Sequence, residues 1–208
     1  MVKAVVFDLD GTLIDTVGGI WRLYQEVSLE LGLPEKSYEE FCSHLGKTWN
    51  KVLVDLWPGI DVEDFKKHYD ISREKAERIP GVNKAVKALS GDYLLAVLTS
   101  RDTDTTRMHA EATGLDLQAF NKIYGRDNTK HHKPDGRVFR EVGEDLGLKY
   151  DEFIYVGDSL VDYQATLLVE VPFVGVLTGA AEAKSFEREG VDYVDSVRDI
   201  PDYLDSIF

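Results

Sequence analysis

Cysteine is almost absent from this 208-residue chain: Cys42 stands alone, so no internal disulfide can brace the fold. A lone thiol with no obvious base beside it reads as a small, apolar helix residue. Long apolar runs are missing as well. The opening Met-Val-Lys-Ala-Val-Val-Phe is too short for the core of a signal peptide, and Asp8 and Asp10 interrupt it. No later stretch reaches the roughly twenty uncharged residues that span a membrane, so the expected setting is the cytoplasm, with no membrane partner. Basic clusters are lacking too. The net charge is −14, which repels phosphodiester backbones and excludes nucleic acid as an expected partner. The same charge opposes a small anionic substrate, which makes a bound divalent cation physically useful.

The chain has enough hydrophobic residues, 43%, for one core or a core with a smaller insertion. Residues 3–9 form a β-branched run that ends in acids and Gly11, the pattern of a buried parallel strand opening into a loop. Similar runs cover residues 93–99, 153–157 and 172–177, with weaker ones at 121–124 and 191–194. Between them, Val82, Ala85, Val86 and Leu89, then Val138, Phe139, Val142 and Leu146, recur at helical spacing. The alternation predicts an α/β fold with a parallel sheet covered by helices on both faces.

Residues 16–79 break that alternation. Asp15-Thr16 starts a helix whose apolar stripe, from Ile20 to Leu31, stops at Gly32. Ser37 with Glu40 forms a capping box for a second helix, and a third runs from Trp49 to Pro58-Gly59. Val62, Phe65, Tyr69, Ala76 and Ile79 predict a fourth, ending before Pro80-Gly81. A helical insert over 16–79 is therefore expected between two parts of a core, 1–15 and 80–208. No internal repeat or low-complexity tract is evident.

Polar groups follow the predicted strands: Asp8 and Asp10, Thr99, Lys133 in a loop, and Asp158 with Asp162. In an open parallel sheet, loops at the carboxyl ends of neighbouring strands meet at one crevice. The residue types suit phosphoryl transfer. A carboxylate is ionised near neutral pH and needs no base before it attacks phosphorus, which casts Asp8 as nucleophile. Asp8 and Asp158 are hard oxygen ligands for Mg²⁺. Asp10 is placed to protonate the leaving oxygen and later to deprotonate water, provided neighbouring negative charge raises its pKa. The Thr99 hydroxyl and the Lys133 charge can hold phosphate oxygens, and Pro134 favours an extended approach for the lysine.

Together these residues resemble the haloacid dehalogenase superfamily over nearly the whole chain. Asp8-Leu9-Asp10-Gly11-Thr12 is similar to its first motif, Thr99 to its second, Lys133-Pro134 to its third, and Gly157-Asp158-Ser159 with Asp162 to its fourth. Phosphoglycolate phosphatase-like members are the most similar. The resemblance implies a Rossmann-like core, a helical cap inserted after the first motif, Mg²⁺ and an aspartyl-phosphate intermediate. It also implies Mg²⁺ binding by the Asp8 carboxylate, the Asp10 carbonyl and Asp158, with Asp162 supporting the metal's surroundings. Thr99, Ser100 and Lys133 fall at its phosphate-binding positions, and Leu45-Gly46-Lys47-Thr48 at its specificity loop, which nominates Lys47 and His44 as substrate contacts. Ser100 departs from the family's usual asparagine, and residues 166–170 depart from its small-residue run. True dehalogenases generally lack the second acid, so Asp10 favours phosphate over haloacid substrates.

Each assignment has an ordinary structural counterpart. Asp8 and Asp10 can cap a turn, Asp158 and Asp162 can face a helix N-terminus, and Thr99 can be a plain strand end. Lys133, Lys47 and His44 can be solvated, as adjacent His131 and His132 usually are. Trp21, Trp49 and Trp57 fit an insert core. Arg101 reads as a solvated charge at a helix start or an alternative anion contact. The expected function is a Mg²⁺-dependent phosphatase acting on a small phosphomonoester. A sugar-phosphate mutase and a non-catalytic phosphate-binding sensor are the alternatives, and the sequence leaves monomer or homodimer open.

Overall fold

The computed structural model describes residues 1–207. The chain runs through β1 (Ala4–Phe7), β2 (Ile14–Asp15), α1 (Val17–Glu30), α2 (Tyr38–Cys42), α3 (Trp49–Leu56), α4 (Val62–His68), β3 (Glu77–Arg78), α5 (Val82–Leu89) and β4 (Leu94–Leu98). It continues with α6 (Thr103–Thr113), β5 (Lys122–Tyr124), α7 (Arg137–Leu146), β6 (Phe153–Gly157), α8 (Leu160–Leu167), β7 (Phe173–Val176), α9 (Ala183–Glu189), β8 (Tyr193–Val194) and α10 (Ile200–Ile207).

Six strands form one parallel sheet in the order β5-β4-β1-β6-β7-β8. Side chains alternate between its faces because the strand period is two. Val5, Phe7, Leu95, Val97, Ile154 and Val156 pack on one side, against Val82, Val86 and Leu89 of α5. Ala4, Val6, Ala96, Leu98, Phe153 and Tyr155 pack on the other, against Val138, Phe139 and Val142 of α7. Both faces are covered, so the central strands β4, β1, β6 and β7 read as continuous apolar runs. Each fully buried large side chain contributes about 1.5–3 kcal/mol, and truncating Phe139, which is fully buried, to alanine should cost about 3–5 kcal/mol.

The strand order reverses at β1: the chain moves out through β4 and β5, then returns to the other side of β1 with β6. A crevice opens at such a switch point, beyond the carboxyl ends of the strands.

Helices α1 to α4 surround a third apolar cluster. Tyr24 sits at its centre, 5.3 Å from the Phe41 ring and 5.5 Å from the Phe65 ring, centroid to centroid. Trp57 is buried there and donates its indole N–H to the Pro34 carbonyl at 2.8 Å, while Trp21 lies tilted against Phe41 and Trp49 meets Phe65 edge-on. Cys42, half-buried, ends α2 beside the same cluster. The chain leaves and rejoins the sheet through an antiparallel pair, with Ile14 opposite Arg78 and Asp15 opposite Glu77.

Three local expectations change. The fourth insert helix stops at His68 rather than near Ile79. Asp70 accepts from the Ser72 backbone N–H at 3.0 Å and turns the chain, and the segment returns as a short 3₁₀ turn and then β3. The capping box at α2 is half formed: Ser37 accepts from the Glu40 N–H at 3.0 Å, but the Glu40 carboxylate takes Lys36 at 2.5 Å. Thr16 precedes α1 without capping it, because its hydroxyl donates to Asp10 at 2.6 Å. No described helix is long and apolar enough to cross a membrane.

Candidate active site

Asp8 is the first residue past β1, and its N–H donates to the Val156 carbonyl at 2.8 Å, which fixes it beside the end of β6. Asp158 is the first residue past β6, and Asp162 lies in the first turn of α8. One oxygen from each of these three buried carboxylates lies within 4.8 Å of the other two. The Lys133 ammonium enters the group. It reaches Asp8 at 2.9 Å, Asp162 at 2.7 Å and the Tyr155 hydroxyl at 2.8 Å, and Tyr155 donates on to the Leu98 carbonyl at 3.0 Å. The solvated-loop reading of Lys133 is thereby excluded, since the residue is only 3% exposed.

Asp162 plays the helix-terminal part as well. Its carboxylate accepts from the Ser159 N–H at 3.1 Å and hydroxyl at 2.6 Å, while Ser159 accepts from the Asp162 N–H at 3.2 Å. The other oxygen, on Lys133, is thus held in place by the capping box.

Burial raises the Asp8 pKa from 3.8 to about 7; Lys133 opposes this rise, while Asp162 and Asp10 add to it. Asp158 is pushed well above the usual carboxylate range by burial, then by Asp162 and Asp8. Burial works against the charge of Lys133, but Asp162 and Asp8 outweigh it and raise its pKa. Ionising all three carboxylates would leave surplus negative charge against one ammonium in a buried space, which is why Asp8 and Asp158 hold their protons so strongly without a cation. Among the described residues Asp158 has no salt-bridge partner; its Oδ2 accepts the Ala180 N–H at 2.7 Å. Hard oxygen donors with unbalanced charge fit a divalent cation such as Mg²⁺. Gly11, with φ +73°, and Gly179 press so closely on Asp158 that a Cβ on either would overlap its carboxylate.

Asp10 stands differently from the sequence expectation. Arg101 Nε donates to its two oxygens at 2.9 and 2.8 Å, and Thr16 donates to Oδ1. Burial works against its charge, but Arg101 outweighs it, and the pKa is lowered rather than raised. Arg101 itself is no solvated helix-start charge. Its side chain is 11% exposed and also bonds Glu74 at 2.7 Å and lies 3.1 Å from His109 Nε2. Glu74, buried, accepts from the Tyr69 hydroxyl. Glu74 and His109 escaped the sequence reading because neither lies in a motif; a buried acid at the end of the insert has no periodic signal.

Thr99 follows β4, buried, with its hydroxyl oxygen accepting the Arg101 N–H at 3.2 Å. Ser100 donates its hydroxyl to the Gly46 carbonyl at 2.5 Å, so in this state it ties the insert to the sheet. Lys47 bonds Asp55 at 2.8 Å and lies 2.9 Å from His44 Nδ1. Burial, then Lys47, lowers the His44 pKa. His131 is not simply solvated: its Nδ1 lies 2.6 Å from Glu141. A cavity of about 250 Å³ opens between the sheet's carboxyl edge and the insert, walled by Asp8, Asp10, Asp158, Ser100, Lys47 and Trp49 among others.

The sequence model described as haloacid dehalogenase-like hydrolase matches residues 5–176. The chain is 28% identical over 182 residues to a pyrophosphatase PpaX of Listeria monocytogenes, covering 84% of this chain and 83% of that one. It is 31% identical over 178 residues to a phosphoglycolate phosphatase of Nitrosospira multiformis, covering 79% and 78%. The crystal structure of a hydrolase from Pseudomonas syringae superposes with a TM-score of 0.86 at 23% identity, covering 99% of both chains. The chain belongs to the haloacid dehalogenase-like hydrolase family. Within that family it is similar to enzymes named for removing phosphate.

Proposed function

We propose that this hydrolase is a Mg²⁺-dependent phosphatase that acts in the cytoplasm on a small phosphomonoester through an aspartyl phosphate on Asp8. The observation that carries the reading is the Lys133 ammonium held between Asp8 and Asp162, with Asp158 at the same point and the cavity beside them. A mere structural ion pair needs no third acid in the same buried space and no substrate-sized opening.

In this reading Asp8, Asp158 and the Asp10 carbonyl would hold Mg²⁺, whose positive charge would lessen the repulsion between an anionic nucleophile and an anionic phosphate. An Asp8 carboxylate oxygen forms a bond to phosphorus while the ester bond breaks, and Asp10 supplies the proton to the departing oxygen. Asp10 then takes a proton from the water that attacks the phosphorus, which releases phosphate and regenerates the Asp8 carboxylate. Lys133 and the Thr99 hydroxyl hold the phosphate oxygens as charge builds, and Asp162 keeps Lys133 aimed. The state described above has Asp10 ionised by Arg101, the form that accepts a proton from water. Donation to the leaving oxygen requires loosening that pair.

Residues 16–79 act as a cap over a core formed by 1–15 and 80–208, excluding water and selecting the leaving group. The contacts of Ser100 with Gly46 and of Arg101 with Glu74 support this part for the insert. Phosphate release from a panel of monoesters, with Mg²⁺ or with EDTA, tests the proposal. Metal-dependent release by the wild type and none by Asp8→Asn is the expected result; near-normal activity of purified Asp8→Asn overturns it, and isomerised sugar phosphate without net release points to a mutase instead.

A further inference from the structure

We propose that the leaving group this chain accepts is uncharged and largely apolar, about the size of one ring or a short branched chain, and that esters bearing a second anionic group on the alcohol side are poor substrates. The inference rests on the phosphatase reading and adds to it the chemical class of the alcohol.

Shape comes first. The cavity holds about 250 Å³, below the roughly 300–1,000 Å³ of sites for drug-sized ligands, and it must also admit the phosphoryl group. Away from the carboxylates its wall is built by the insert: Ile20, Tyr24, Leu45, Trp49, Val52 and Tyr69. These residues belong to the insert's own apolar cluster or pack against it, so this part of the wall is a continuation of a hydrophobic core. A ring or branched alkyl group entering it would leave water for apolar surroundings.

Charge points the same way. Four cationic residues reach the wall, and each already has a carboxylate. Arg101 is shared by Asp10 and Glu74, at 2.8 and 2.7 Å. Lys47 is 2.8 Å from Asp55. Arg126 is 3.2 Å from Asp102. Lys66 is 2.6 Å from Glu63, with its ammonium 5.9 Å from the centre of the Trp49 ring. Glu74 and Asp102 themselves line the cavity and repel an anion. The phosphoryl group meets Lys133 and the acid cluster; a second carboxylate or phosphate would be desolvated with no unpaired cation to receive it.

Two esters of primary alcohols, benzyl phosphate and phosphoglycolate, isolate this effect, because the bond broken is alike in both and the charge on the alcohol side is not. With wild-type enzyme and Mg²⁺, kcat/KM for benzyl phosphate should exceed that for phosphoglycolate by about tenfold or more, since even a single extra apolar contact discriminates by about that factor. Asp55→Asn frees Lys47 at the wall and should narrow the ratio several-fold. Equal or faster cleavage of phosphoglycolate overturns the inference, as does an unchanged ratio in an Asp55→Asn protein that unfolds at the wild-type urea midpoint. If no ester is hydrolysed, the phosphatase reading fails by itself. Calorimetric affinities of the wild type for the two esters then decide the pocket's preference: tighter benzyl phosphate supports it and tighter phosphoglycolate ends it.

Discussion

Glu74 and Asp10 are held by one guanidinium: Arg101 donates Nε to the acid two residues past Asp8 and a terminal nitrogen to the acid near the end of the insert. The position of the insert and the ionisation of Asp10 are therefore joined through a single side chain. Removing Asp10 as Asp10→Asn should lower kcat by about 10² to 10⁴ with the fold intact. Arg101→Met should lower both activity and stability, because it strands two carboxylates. Breaking a buried pair costs about 3–5 kcal/mol; the loss here should fall below that, since the Asp10 side chain keeps 24% exposure. Steady-state kinetics and urea unfolding read the two effects separately.

The acid cluster sets a pH dependence of stability in the absence of metal. The folded state holds a proton on Asp8 up to about pH 7, whereas the unfolded chain releases it near 3.8. Between those values the native state binds more protons, so the contribution of Asp8 to stability falls as pH rises. In EDTA the urea midpoint should drop from pH 5 to pH 8, and the drop should shrink in Asp8→Asn, which has no charge to bury there.

Magnesium should reverse that loss. A ligand that binds only the folded state at 100 times its dissociation constant adds about 2.7 kcal/mol. The melting temperature at pH 8 should rise with added Mg²⁺ in the wild type and hardly at all in Asp158→Asn, whose side chain lacks the charge that needs neutralising. A thermal titration with Ca²⁺ and Mg²⁺ in parallel checks the ion's identity.

Gly179 should be intolerant of even the smallest side chain. Gly179→Ala drives a Cβ into the Asp158 carboxylate and would be expected to cost about 1–3 kcal/mol as overpacking. Mg²⁺-induced stabilisation and turnover should both weaken. An alanine at Gly18, which has open space around it and, like Gly179, no positive φ, serves as the control for the added methyl alone.

The four central strands were legible because they are buried on both faces and read as short apolar runs bounded by helical periods, whereas the edge strands β5 and β8, partly exposed and carrying Lys122 and Tyr193, give weaker signals. The acids past the strand ends were legible for the same reason: a carboxylate directly after Val-Val-Phe or Tyr-Val-Gly has nowhere to go but the sheet's edge. The end of the fourth insert helix was not, since Asp70 and the Tyr69 contact with Glu74 override a pattern that still reads as helical. Arg101 was misjudged because a cation after a strand looks alike whether solvated or buried, and only the return of Glu74 from the insert decides which. Asp10 followed from that error: its pKa depends on a partner 91 positions away.

The antiparallel pair of Ile14 with Arg78 and Asp15 with Glu77 brings the two ends of the helical excursion to one spot on the sheet's rim. A segment attached in this way can be lengthened, shortened or exchanged without disturbing strand register. In the phosphatase proposed above, new selectivity would then be grafted onto an unchanged reaction centre by replacing what hangs from this one pair of short strands.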